Sequence, residues 1–304
     1  MNIFIVLPHL GVNGGIKAGI QNCHLLNENG FMCTIVVPNN TGNPFPSYDL
    51  AKFSTWSDCL LQVKSDDVFI FYWPPNISTF IHLKNKFIFA GEGAFMEGIA
   101  NQDLILTSRF ELFSVSQFTR HYYFYAYHKD SKIKNNWINE KIFYPDEMKR
   151  VKNRVGVINY LREDSQKLVS LLKQTKFIPY IFGPCSEIEV GEHLRTCDYF
   201  VSFSKGVYNG FECSEGFRLP GAEALSSGCL VVSVNSWGPL DYLQDNVNCR
   251  IAWKNTEEDV IEKLIALDVS KEKEVIRNNG IFTIRQRFNK QVIIQQLLAV
   301  IGEK

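Results

Sequence analysis

The sequence predicts an α/β protein made of two similar parallel-sheet domains. Three observations carry that prediction. Short apolar segments alternate with amphipathic ones along the chain, the pattern of strands each followed by a helix. The alternation starts afresh near the middle, after a polar stretch opened by proline. The 304 residues, 45% of them hydrophobic, suffice for two domains of ordinary size, each with its own core.

In the first half the strand candidates are residues 3–7, 33–37, 68–73, 86–90, 104–107 and 113–116. Between the first two, residues 16–29 have helical periodicity that stops at Gly30. The loop Gly11-Val-Asn-Gly-Gly15 follows the first strand and opens that helix. Its glycines let the backbone approach a ligand, and the helix start favours an anion. It is neither a Gly-x-Gly-x-x-Gly fingerprint nor a Walker pattern. The polar run 144–153, with Pro145 near its start, reads as a linker and sets the expected domains at 1–147 and 148–304. Beyond it come strands at 154–159, 177–182, 199–203 and 230–234, helices at 165–174, 187–196 and 220–227, and a helical tail over 257–301.

Composition narrows the function classes. Basic and acidic residues number 32 each, so net charge gives no argument for a nucleic-acid partner. No run reaches the roughly 18 to 20 apolar residues of a membrane span. The first residues lack the basic start of a signal peptide, so a cytoplasmic protein is expected. Eight cysteines form no Cys-x-x-Cys pair and fall mostly in apolar runs, as reduced thiols do; no metal site is expected from them. Arg120-His-Tyr-Tyr-Phe-Tyr-Ala-Tyr-His-Lys129, with Lys132 and Lys134, is aromatic and basic, a composition suited to the headgroup zone of a membrane. Half-buried helix packing accounts for its tyrosines equally well.

The most specific stretch is Ser214-Glu-Gly-Phe-Arg-Leu-Pro-Gly-Ala-Glu-Ala-Leu-Ser-Ser-Gly228, with Cys229-Leu-Val-Val-Ser233 behind it. Pro220 suits a first helical turn and Gly228 the position just past a helix end. Glu215 then falls on the loop before a short helix, and Glu223 lies one turn inside it. The backbone N–H groups near Arg218 to Gly221 form an anion site. A carboxylate stands on each side of it, one for sugar hydroxyls and one for a ribose.

This stretch resembles the Glu-x7-Glu signature of retaining glycosyltransferases of the two-domain GT-B architecture, family 4 in particular. Glu215, Gly216, Phe217, Leu219, Pro220, Glu223, Ala224, Gly228, Val231 and Val232 match in register, while Arg218 stands where the family usually has glycine. The resemblance implies two Rossmann-like α/β domains facing across a cleft. It implies transfer of a hexose from a nucleoside-diphosphate sugar to a glycan or lipid-linked acceptor, with retention and without metal or cofactor. The chain also lacks the Asp-x-Asp triplet that holds a metal in the other main glycosyltransferase fold. Glu215 would be catalytic; Gly14, Gly15, Phe217, Arg218, Leu219 and Glu223 would bind the donor.

Further assignments follow from the same resemblance. Arg162 and Lys205 would neutralise the diphosphate, although Val157 occupies the family's arginine position. Gly238 and Asp241 stand in for a glycine pair and a glutamate. The first domain lacks the histidine that many relatives carry. Glu92, in the loop 90–94, is its second catalytic candidate, as a group for acceptor hydroxyls or a general base. A lipid-linked acceptor would bring the 120–134 patch into peripheral membrane contact. Two alternatives stay open: an inverting GT-B transferase with Glu92 as base, and a non-catalytic nucleotide-sugar-binding protein.

Overall fold

A computed structural model describes residues 1–39, 42–72, 77–93, 109–158, 164–183, 185–203, 207–208, 211–212 and 215–302. They form two compact units, Met1–Trp137 with Lys290–Lys304, and Ile138–Asn289.

The first unit is built on β1 (Ile3–Val6), β2 (Cys33–Val37), β3 (Lys52–Thr55), β4 (Val68–Phe71), β5 (Lys86–Gly91), β6 (Phe110–Ser114) and β7 (Lys132–Ile133). They pair in the order β3-β2-β1-β4-β5-β6-β7, parallel throughout. Helices α1 (Gly14–Glu28), α2 (Trp56–Gln62), α3 (Ile77–Phe80) and α4 (Gln117–Tyr127) connect them. Every residue of β1 and β4 is buried, as expected of strands covered on both faces. Aromatic rings fill one layer; Phe71 meets Phe87 edge to face at 5.1 Å. Strand order reverses between β1 and β4, so the carboxyl ends of these strands are the unit's expected ligand crevice.

The second unit has β8 (Val151–Ile158), β9 (Ile178–Phe182), β10 (Cys197–Ser202), a small antiparallel hairpin of β11 (Val207–Tyr208) and β12 (Phe211–Glu212), β13 (Leu230–Val234) and β14 (Arg250–Ala252). The parallel sheet runs β14-β13-β10-β8-β9 and reverses between β8 and β10. Its helices are α5 (Asp164–Leu172), α6 (Glu187–Thr196), α7 (Leu219–Ser226), α8 (Glu257–Asp268) and α9 (Lys273–Arg287).

The division falls at 137/138 rather than at 147/148, and the chain returns to the first unit at Lys290. The polar run 144–153 belongs to the second unit, because its flanks and cations are bound there. Ser226 Oγ donates to Phe143 O at 2.7 Å, the Arg195 guanidinium lies 4.5 Å over the Tyr144 ring, and Arg150 Nη1 donates to Cys197 O at 3.0 Å and Gly228 O at 2.7 Å. The last helix, α10 (Lys290–Ile301), belongs to the first unit. Lys290 pairs with Glu28, and Gln296 exchanges hydrogen bonds with Asn135 at 2.9 and 3.1 Å. Lys86 and Lys132 donate to the carbonyls of Ile301 and Ala299, covering the negative end of the helix. The expected strand at 104–107 lies outside the described residues. Among the described residues no helix is long and apolar enough to cross a membrane.

Candidate active site

The helix following the 215–218 loop forms as its sequence dictates. α7 opens with Leu219 and Pro220, where a missing N–H costs nothing. It closes on Gly228 at φ 78°, with Gly228 N–H donating to Leu225 O and Cys229 N–H to Ala224 O, both at 3.0 Å. This is the glycine stop that satisfies the last carbonyls.

Arg218 precedes the helix with φ 64° and ψ 74°, the left-handed region that a Cβ disfavours by about 1–2 kcal/mol. The arginine therefore holds a backbone conformation that glycine adopts without penalty. The Tyr242 hydroxyl donates to its carbonyl at 2.7 Å, and its own Nη1 donates to Ser236 Oγ at 3.1 Å. Its side chain does not cap the helix. The N–H groups of Leu219 and Gly221 thus begin α7 without intrahelical acceptors. Beneath them Ser202 Oγ, at the end of β10, is buried without a hydrogen-bond partner among the described residues. It lies 3.4 Å from where a Cβ on Gly221 would stand.

Glu215 is half-buried on the loop, and Glu223 is 5% exposed in the second turn of α7. The loop after β13 grips the Glu215 peptide. Glu215 N–H donates to Ser236 O, and Gly238 N–H donates to Glu215 O, each at 3.2 Å. Trp237 between them has φ 61° and ψ −69°, a strained turn conformation of the kind that gathers at functional sites. Phe217, expected as a donor contact, is 3% exposed and its ring packs 5.2 Å from both Tyr242 and Phe288. Leu219 is likewise buried. Gly238 opens a short 3-10 turn that Asp241 ends, and the Asp241 carbonyl accepts from Arg287.

Arg162 and Lys205 lie outside the described residues. Their strands do not: β8 ends at Ile158 and β10 at Ser202, the two strands flanking the reversal of the second sheet. Val157 is 2% exposed in the core.

In the first unit Gly14 and Gly15 form the first turn of α1, just after β1. Asn13 Oδ1 caps Ile16 N–H at 3.0 Å, leaving the glycine N–H groups without intrahelical acceptors. Glu92, expected in the loop 90–94, is more enclosed than a loop position suggests. It directly follows β5, its Oε1 is buried, and Asn136 Nδ2 donates to its Oε2 at 3.0 Å. Burial pushes its carboxyl above the usual carboxylate range, against the opposing pull of Lys134 and the hydrogen bond from Asn136. The same burial holds the Lys134 ammonium down to about 8, with Glu92 pulling the other way.

The 120–134 patch forms α4 and the turn after it. Phe124 and Tyr125 are exposed, and Phe118, His121, Tyr122, Tyr125 and Ala126 line a shallow groove. Arg120 pairs with Asp130 at 2.9 Å, Lys132 donates to Ala299 O, and Lys134 is buried.

Sequence reasoning missed Ser202, Ser236 and Tyr242, and it set Lys134 in the membrane-suited patch, whereas the side chain is buried. Only Lys134 carried a local signal, a lysine just past a short strand.

No protein-family model and no curated protein matches the sequence. Solved structures do match. HepE of Anabaena in complex with UDP superposes with a TM-score of 0.80 at 12% identity, over 99% of this chain and 100% of that one. A glycosyltransferase from Rickettsia africae superposes at 0.76 and 13% identity, over 98% and 97%. TarM of S. aureus, in complex with fondaparinux, alpha-GlcNAc-glycerol and UDP, superposes at 0.78 and 10% identity, over 100% of both. The chain shares the GT-B architecture of these proteins, two Rossmann-like α/β units.

Proposed function

We propose that this GT-B chain is a glycosyltransferase that moves a hexose from a nucleoside-diphosphate sugar to a hydroxyl of a glycan or lipid-linked acceptor. The observation that carries the reading is the junction at 215–223: two glutamates flank a helix start whose first-turn amides no Arg218 side-chain bond caps. Such amides bind an anion. They also stabilise the charge that grows on a leaving diphosphate. Glu215 stands before these donors, on the side of the transferred sugar. Glu223 stands behind them, on the side of the ribose. Arg162 and Lys205, which follow in sequence the two strands at the reversal of the sheet, would add positive charge. The UDP held by HepE and TarM supports this donor class.

Retention of configuration and reaction without a metal follow from the resemblance of the motif and belong to the proposal. Support for peripheral membrane contact through 120–134 comes from the exposed rings of Phe124 and Tyr125, while Arg120 is paired and Lys134 buried.

The test is calorimetric titration with UDP and GDP, followed by release of nucleoside diphosphate from a panel of nucleotide sugars with and without EDTA. One diphosphate binds, and its sugar is turned over equally in both buffers. Failure of both diphosphates to bind overturns the reading. Binding without turnover of any donor selects the non-catalytic alternative.

A further inference from the structure

The loop after β13 holds the 215–218 loop by its backbone and by side chains. Gly238 N–H donates to Glu215 O at 3.2 Å, Arg218 Nη1 donates to Ser236 Oγ at 3.1 Å, and the Tyr242 hydroxyl donates to Arg218 O at 2.7 Å. The last of these differs from the others. It comes from a wholly buried side chain and ends on the peptide that opens α7.

Tyr242 is itself fixed. Its ring lies 5.2 Å from Phe217 and 5.9 Å from Phe288, its N–H donates to Pro239 O at 3.0 Å, and its carbonyl accepts from Asn248 Nδ2 at 2.8 Å. The hydroxyl also passes close to Gly221, where a Cβ would stand 2.9 Å from it. Burial pushes the phenol above its ordinary range, so it stays protonated and keeps a hydrogen to donate.

What the bond does follows from the geometry of a peptide. The C=O of Arg218 and the N–H of Leu219 share one planar unit, and in a trans peptide they point in opposite directions. No peptide bond among the described residues is cis. Holding the oxygen against Tyr242 therefore turns the Leu219 N–H away from the tyrosine and out of the helix start. The restraint has work to do at this place. Arg218 has φ 64° and ψ 74°, a region that its Cβ disfavours. The same carbonyl takes the first intrahelical bond of α7, as a cap carbonyl does, but helix ends fray. The buried hydroxyl ties that peptide to the core.

We propose that Tyr242 is a positioning residue for the donor: without touching it, the hydroxyl aims the Leu219 N–H at the diphosphate. Gly221 belongs to the same device, because a side chain there would press on the hydroxyl of a ring hemmed in by Phe217 and Phe288. That the anion is a diphosphate rests on the glycosyl-transfer reading; the tyrosine's hold on the peptide does not.

Binding and steady-state kinetics on the full chain test it, with UDP or GDP, whichever the wild type binds, beside the matching nucleoside. The nucleoside has no phosphate, so the ratio of the two affinities isolates the part due to the helix start. In Tyr242→Phe the diphosphate binds about tenfold more weakly, the worth of one hydrogen bond to a charged group, and the nucleoside stays within about twofold. With the corresponding sugar donor kcat falls about tenfold as well, since charge on the leaving diphosphate grows in the transition state. Tyr242→Phe keeps the ring packing; Gly221→Ala, which crowds the hydroxyl, gives the same pattern and decides if the first variant does not fold. Equal losses for nucleoside and diphosphate mark a merely structural role and overturn the proposal, as does unchanged diphosphate affinity in a folded variant. Where the nucleoside binds too weakly to measure, an unchanged kcat overturns it. If the wild type binds neither diphosphate, the donor reading falls and this proposal with it; if it binds one and the variants do not discriminate, the tyrosine proposal alone falls.

Discussion

The carbonyl oxygen of Glu215 accepts the N–H of Gly238 at 3.2 Å, and a Cβ on Gly238 would stand 2.2 Å from that same oxygen. The Gly216 oxygen would be nearer still, at 2.0 Å. Backbone atoms cannot yield as a flexible side chain can. Gly238→Ala therefore separates the loop after β13 from the loop that carries Glu215. The expected outcome is a loss of about 1–3 kcal/mol in urea unfolding, the range for overpacking, together with weakened UDP binding by calorimetry.

Arg218→Gly separates backbone strain from side-chain function. Glycine adopts the left-handed conformation without penalty, so the melting temperature holds or rises. The bond to Ser236 Oγ is lost with the side chain. Removal of the cation proposed to bind the donor is expected to lower UDP affinity about tenfold, the worth of one hydrogen bond from a charged group to the diphosphate.

The two glutamates should fail differently. Glu223→Gln weakens donor binding about tenfold with little change in kcat, because ribose contacts are made alike in ground and transition states. Glu215→Gln lowers kcat by about a hundredfold or more with donor affinity nearly kept. Steady-state kinetics on a working donor resolves the two patterns; equal effects on KM and kcat would contradict the assignment.

Lys134 is held down to about 8 from 10.5, so the unfolded chain keeps its proton more tightly than the folded one. For such a group stability is complete above about 10.5 and lost as pH falls through about 8. Lys134→Met removes this dependence. The variant is the more stable at pH 7, by up to about 3 kcal/mol from a shift of that size, and the advantage shrinks as pH rises from about 8 to 10.5. Glu92, raised by burial, acts in the opposite sense: its stabilisation is present below 4.5 and lost as pH rises through its folded value. Chemical unfolding across pH checks both slopes.

Strands at Cys33–Val37 and Leu230–Val234 and the helix Glu187–Thr196 fall where the sequence expects them, because apolar runs and a Ser186 cap mark them locally. The edge strands Lys52–Thr55 and Arg250–Ala252 were not legible; short edges bury too little to leave a pattern. The unit that receives α10 was hidden as well. An apolar helix fits many surfaces, and the partners that decide, Glu28 and Lys86, lie far away in sequence. In the site, the Glu215 and Glu223 spacing was legible because proline and glycine punctuate it. The left-handed Arg218 was not, since no propensity gives arginine that conformation. Glu92 looked like a loop residue because its partner Asn136 is 44 positions away.

The central claim is that the first turn of α7 grips a diphosphate between Glu215 and Glu223. A crystal structure of the chain with UDP tests it most directly. The account predicts phosphate oxygens about 3 Å from the N–H groups of Leu219 or Gly221, with the ribose hydroxyls on Glu223. UDP bound away from that turn, or Glu223 without contact to the ribose, would contradict it.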